Sequence, residues 1–319
     1  MDDVREGVSA DNSNLRKYVA MHHLSWNVTK RFNIGLFESV VTNENSYPNG
    51  FDVSFFNPII FYRAIEFSNN SDSGNASIGL NMKYRIKDNI SLYTQLLMDE
   101  LTTTRVFDGT GYWGNKFAFQ LGAKYYNAFK VDGLMLQGEF NLATPYTFAH
   151  RRGVYDNITE DAEGNIINDE IIIDSELNAG HYNQPFTHIW GANFYEVIGI
   201  ARYSKDRWFG NAKLIAGKKG FDYENDDPDY SYGGDIWRSY EDRVSDEGNE
   251  VGQGNSTNIF VADFQGGYVV NPVTNLQLFG GVTFRNFSPD QSGNVISEDN
   301  TTWFTIGFRS SLFNWYFDY

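Results

Sequence analysis

The chain has 319 residues, 41 acids against 25 lysines and arginines, a net charge of −16 and no cysteine. A disulfide framework and a thiolate metal site are therefore impossible, and the acid surplus argues against sequence-independent nucleic-acid binding, which needs surplus Lys and Arg. Aromatics at 17% argue against disorder over the whole length, no apolar run approaches the roughly 20 residues of a membrane helix, and a mean hydropathy of −0.45 fits strands that average a greasy and a wet side.

Taken in chain order, the signal is period two. A strand is expected near 17–28, with poor alternation, and a second starts at 32–36, where Phe32, Ile34 and Leu36 oppose Asn33 and Gly35. Residues 55–67 are also strand-like and apolar, but a membrane strand here would reverse the order of short and long connections after it. They are assigned to the second strand's long loop, folded onto or into the barrel. Residues 76–86 alternate most clearly: Ala76, Ile78, Leu80, Met82, Tyr84 and Ile86 on one face, Ser77, Gly79, Asn81, Lys83 and Arg85 on the other. Further strands are expected, with poorer alternation, at 90–99, 194–204 (where either face could be the outer one) and 207–217, and with clear alternation at 117–125, 134–141, 260–268, 276–285 and 304–311. The last leads to an aromatic C-terminus, Phe313 to Tyr319, whose parity requires a bulge near 310–314.

The connections run short, then long. Short turns centre on Lys30, Asp88-Asn89, Lys130 to Asp132, Lys205-Asp206 and Asn271-Pro272; long loops cover about 42–75, 100–115, 145–193, 218–257 and 287–301. Sorting every long loop to one end is the habit of antiparallel transmembrane β-barrels of the bacterial outer membrane, with short turns periplasmic and loops outside. The fold expected is all-β, with residues 1–319 forming a single barrel domain of about 11 strands. An odd strand count and a start outside imply strands missing upstream, since an open edge in lipid is not viable. Met1 to Glu6 resemble no secretory signal, so this chain reads as the C-terminal portion of a larger barrel. The charge follows the loops. Residues 153–189 carry eight acids and no Lys or Arg, and residues 219–257 carry eleven acids against Lys219, Arg238 and Arg243.

Several stretches carry a family resemblance: Met21-His22-His23-Leu24-Ser25 with Asn33 to Glu38, Asn57 to Arg63, Gly114-Asn115-Lys116 leading into Gln120 to Tyr125, Gly180-His181-Tyr182-Asn183-Gln184-Pro185, Gly191 to Phe194, and Gly252-Gln253-Gly254. In these the chain resembles the Wzi-type capsule-assembly outer-membrane proteins, and within them the Bacteroidetes branch of RemB-like gliding-motility proteins. The resemblance implies a barrel of about eighteen strands embedded in outer-membrane lipid. It also implies a non-enzymatic role in retaining surface polysaccharide, or in gliding with motility and secretion proteins as partners.

No residue pattern marks a catalytic centre. There is no H-E-x-x-H helix and no G-x-S-x-G elbow, so the expectation is a protein without enzymatic activity. The loop residues that could bind a ligand are His181, Tyr182, Asn183, Tyr230, Tyr232 and Trp237, whose rings suit sugar stacking but equally suit anchoring one loop to another. Asp222, Glu224, Asp226, Asp227 and Asp229, and the cluster from Glu160 to Glu170, are dense enough in oxygen to hold Ca2+ without matching an EF-hand register; the alternative is a solvated acidic loop. Lys83, Arg85, Lys124, Glu139, Asp263 and Arg285 share the inward face, where they brace a plug or line a solute path. A surface protein that binds glycan or partner proteins is thus expected, and a pore for small solutes is the alternative.

Overall fold

A strand with one apolar and one polar side must hold its register, because a one-residue slip exchanges the two faces. The computed structural model describes residues 16–43, 57–61, 74–106, 108–160, 165–173, 175–224, 230–293 and 296–310. Its alternating segments form one antiparallel sheet of eleven strands, each hydrogen-bonded to its neighbour in the chain. They are β1 (Lys17–Asn27), β2 (Phe32–Asn43), β3 (Asn75–Lys87), β4 (Ile90–Glu100), β5 (Lys116–Tyr126) and β6 (Leu134–Ala143), followed after a long excursion by β11 (Phe194–Lys205), β12 (Trp208–Phe221), β13 (Asn255–Asn271), β14 (Leu276–Pro289) and β15 (Asp299–Arg309). The excursion between β6 and β11 holds two hairpins of its own, β7 (Gly153–Glu160) with β8 (Ile166–Ile173) and β9 (Gly180–His181) with β10 (Gln184–Pro185). β1 and β15 are the edges of the large sheet.

The eleven strands expected from alternation are the eleven observed. Their loop-side ends were underestimated: β13 starts at Asn255 rather than 260, and β15 at Asp299 rather than 304. The reason is physical. Alternation marks only the stretch with a greasy face, and beyond it both faces are polar, as at Asn255, Ser256 and Thr257, all buried. The long loops shrink accordingly, to 222–254 and 290–298. The C-terminal aromatics 313–319 and their bulge lie outside the described residues, as do residues 1–15.

Register assigns the faces. Ile78, Leu121, Val197, Leu214, Phe264 and Ile306 fall on one side and remain exposed, Ile306 to 92%. The other side carries Lys83, Lys124, Glu139, Asp263 and Arg285. Tyr93 lies along this polar side, its hydroxyl donating to Glu139 Oε2 at 2.5 Å and accepting from Gln137 Nε2 at 2.9 Å. Gly122 makes room for that ring, since a β-carbon there would overlap the Tyr93 ring.

Of the apolar segment at 55–67, assigned to the second strand's long loop, residues 55–56 and 62–67 lie outside the described residues. Within residues 57–61, the Phe61 N–H donates to Glu38 Oε1 at 3.0 Å. Glu38 sits in register with Ile78, so this stretch lies on the apolar face, outside the sheet. There it covers a polar pair, Glu38 with His22 Nδ1 at 2.9 Å.

A Gly122→Val substitution should displace Tyr93 from Glu139 and cost about 1–3 kcal/mol. Denaturant unfolding of the purified protein measures it, and a variant within about 0.5 kcal/mol of the parent contradicts the contact.

Candidate functional site

The loops gather at one end of the polar face, and sheet residues hold them there. Lys17 Nζ, at the loop end of β1, donates to Asn178 Oδ1 at 2.8 Å and to the carbonyls of Asn178 and Gly180 at 3.1 and 2.9 Å. Lys219 Nζ, at the loop end of β12, donates to the carbonyls of Trp190 and Gly234. Lys116 Nζ, at the start of β5, lies 2.9 Å from Glu100 Oε2 and 3.6 Å from Asp99 Oδ2, with the Tyr240 ring 4.5 Å away. Asp99 also accepts the Phe148 N–H at 3.0 Å. Asn193 accepts from Gly252 N and donates to the carbonyls of Tyr232 and Gln253. A small apolar core of Ala143, Phe148, Ala192, Phe194 and Ile236 fills the space beneath.

Between these loops opens a cavity of about 670 Å³. Trp190, Phe221, Tyr223, Trp237 and Phe287 supply aromatic walls, while Asn183, Asp222, Glu224 and Asp235 supply polar edges. Several rings are fixed by packing. Phe221 meets Phe287 edge-on at 5.9 Å, Tyr223 meets Tyr232 at 5.3 Å, and Trp237 has Lys17 Nζ 5.9 Å from its ring. Burial pushes the Asp222 carboxyl up from its usual range, against the opposing pull of the Tyr232 N–H and Arg238. Flat apolar walls with carboxylate and amide edges suit a ligand that has both a ring face and hydroxyl groups.

Of the residues singled out from sequence, Asn183 and Trp237 meet in this cavity. His181 and Tyr182 share the small hairpin that carries Asn183, their rings 4.1 Å apart, with Tyr182 67% exposed. Burial and the nearby Lys17 charge lower the His181 pKa. Tyr230 is half exposed and does not line the cavity; Tyr232 contributes its carbonyl to the Asn193 tie and its ring to Tyr223. Among the calcium candidates, Asp222 accepts from the Tyr232 N–H at 2.7 Å and from Arg238 at 3.0 Å, and so works inside its own loop. Glu224 lines the cavity, and Asp226, Asp227 and Asp229 lie outside the described residues. Among the described residues no three His, Asp or Glu side chains group around a common point. Trp190, Lys219 and Phe287 were not singled out. Alternation extended through β12 would have put Lys219 and Phe221 on the polar face, but nothing local marks Trp190.

A second polar cluster lies beneath the loops. The His150 ring packs edge-on against Tyr240 at 6.0 Å, and its Nδ1 is buried without a hydrogen-bond partner. Burial, with the Lys116 and Arg151 charges adding, drives its pKa down to about 3.

No protein-family model and no curated protein matches this chain. Among solved structures, it is similar to a NanC porin determined in a rhombohedral crystal form. That similarity is 8% identity over 93% of this chain and 95% of that one, with a TM-score of 0.29.

His150 is held neutral in the folded loops, whereas the unfolded chain takes up a proton near 6.5. Its contribution to stability is complete above pH 6.5 and is lost as the pH falls towards 3. Loop stability read by tryptophan fluorescence should fall across that window, and the fall should be smaller in a His150→Phe variant. Equal pH profiles for both proteins would refute the assignment.

Proposed function

We propose that this chain is an outer-membrane β-barrel protein that binds surface polysaccharide in its loop-borne cavity, in the service of capsule attachment or gliding. The observation that carries the membrane reading is the sheet's outer face. A continuous row of exposed aliphatic and aromatic side chains is costly in water and ordinary in lipid. The opposite face is polar, and at one end the long loops fold together over it, with only short turns at the other. Closure into about eighteen strands and loops turned to the exterior belong to the same proposal, since a membrane sheet cannot leave edges in hydrocarbon. The polysaccharide reading is supported by the cavity's tryptophan, tyrosine and phenylalanine walls and its carboxylate and amide rim. The motility reading shares the same loops, with secretion or gliding proteins as partners in place of glycan. No catalytic role is proposed.

Two measurements test this. Leu121→Arg, on the outer face, should destabilise the protein by about 2–4 kcal/mol in lipid. Gln120→Arg, on the polar face, should cost only about 1 kcal/mol for its lost bond to Asn141; equal costs would refute the lipid-facing assignment. A surface-glycan array probed with full-length protein should show binding that Trp237→Ala weakens about tenfold. Failure to bind any surface polysaccharide leaves the protein-partner version alone.

A further inference from the structure

The polar face is not electrically uniform along the strands. At the loop end its cations are consumed: Lys17, Lys116 and Lys219 are ringed by carbonyls and carboxylates. Arg285, in the register row that also holds Lys83, is taken as well, by Asp299 at 3.0 Å. Towards the turns the pattern changes. Register places Arg85, Ser91, Lys124, Gln137, Ile200, Lys213, Asp263 and Thr283 in one continuous row across β3 to β14. Lys83 lies one step above it on the same face and Arg202 one step below, with Arg309 nearest the turns. Six cations there face three carboxylates: Glu139, Asp263 and Glu196, whose charge reaches Lys213. All three are already engaged, Glu139 by the Tyr93 hydroxyl, Asp263 by Thr283 Oγ1 at 2.7 Å, and Glu196 by His188 Nε2 and Asn141 Nδ2 at 2.8 Å each. Among the described residues, none of the six cations makes an ion pair with a carboxylate. Lys124 lies 5.4 Å from the Tyr93 ring centre, and Arg309 bonds a neutral amide, Gln277, at 2.7 Å.

Like charges gathered on one wall cost stability through self-repulsion, and apart from the half-buried Lys124 these cations are exposed on that wall, open to a solute. Strands spaced about 4.8 Å apart put Arg85 and Lys124 about 10 Å from each other. That separation fits one multivalent solute better than an intramolecular carboxylate. We infer that the turn-side half of the polar face is an anion vestibule, a partial ring of Arg and Lys that takes small multivalent anions bearing phosphate or carboxylate groups. The acidic loops repel such solutes at the opposite mouth, so entry is from the turn side. This inference rests on the barrel reading, not on the glycan reading.

The test uses full-length protein in planar bilayers under a KCl gradient. It also uses the same protein in detergent, titrated with hydroxypyrene trisulfonate as a multivalent anion probe. A current that prefers chloride is expected, with the preference abolished in an Arg85→Gln/Lys124→Gln/Arg202→Gln variant. Saturable dye binding should weaken about tenfold in that variant. A cation-preferring current overturns the inference; so does a silent barrel that binds the dye no better than the variant. Protein that shows no heat-dependent shift in electrophoretic mobility fails as a barrel, and the vestibule falls with it. Loss of glycan binding with chloride preference intact removes only the polysaccharide reading.

Discussion

The structure depends on one constraint, that eleven strands keep strict register so that every side chain has an assigned face. Each antiparallel pair satisfies the backbone groups between its members, and the two-residue side-chain period then separates hydrocarbon from charge across the sheet. Ile78, Leu80 and Met82 stay on the outside only because β3 pairs with β2 through Leu36↔Leu80 and with β4 through Leu80↔Leu96. A slip at either ladder would bring Lys83 to the apolar side. The bulges between Arg85 and Lys87 and between Met98 and Glu100 fall near strand ends, where a change of parity costs least. Phe37 crosses the polar face over Gly79, as Tyr93 crosses over Gly122. The glycines are therefore part of how the wet side is filled.

That dependence explains why so much of the sheet was legible in the sequence. Period two needs only neighbouring residues to be seen, and from it all eleven strands could be placed, with the faces of the seven that alternate clearly; the face of 194–204 stayed open until its register with β6 and β12 set it. The loop assembly could not. Lys17 reaches Asn178 across 161 positions, Arg105 pairs with Glu247 across 142, and the Trp113 N–H donates to the Asp246 carbonyl. No periodicity records such contacts. The candidate site shows the same division. Trp237 and Asn183 stood out by residue type, whereas Trp190 and Phe287 enter the cavity only because distant loops converge. Asp222 shows a related point: the acidic stretch gives no sign that its carboxyl takes Arg238 and the Tyr232 N–H as partners within its own loop.

The stretch at residues 57–61 shows how an apolar segment can belong to neither a strand nor a plug. Glu38 and His22 lie on a face otherwise made of apolar side chains, where an unpaired carboxylate would be costly. Each engages the other, and the Phe61 N–H adds a further bond to Glu38. An apolar loop segment laid on the outer surface therefore performs a local task, shielding a polar pair, and does not need to cross anything.

The acidic loops raise the opposite problem, since segments carrying nearly all the net negative charge should repel one another. The sheet answers it with cations fixed at its loop-side rim. Lys17, Lys116 and Lys219 stand on β1, β5 and β12, far apart along the sheet: Lys17 holds the β6–β11 excursion, Lys219 ties that excursion to the loop after β12, and Lys116 pairs with Asp99 and Glu100 at the end of β4 beneath Tyr240. Arg152 and Arg238 extend the same arrangement within the loops, through Asp242 at 2.7 Å and Asp222 at 3.0 Å. A lysine at a strand end has its backbone already placed by the ladder, so little further entropy is lost when its ammonium is fixed. The loops are ordered from the sheet outward, and the cavity between them has Lys219 in its wall and Lys17 against the ring of its Trp237.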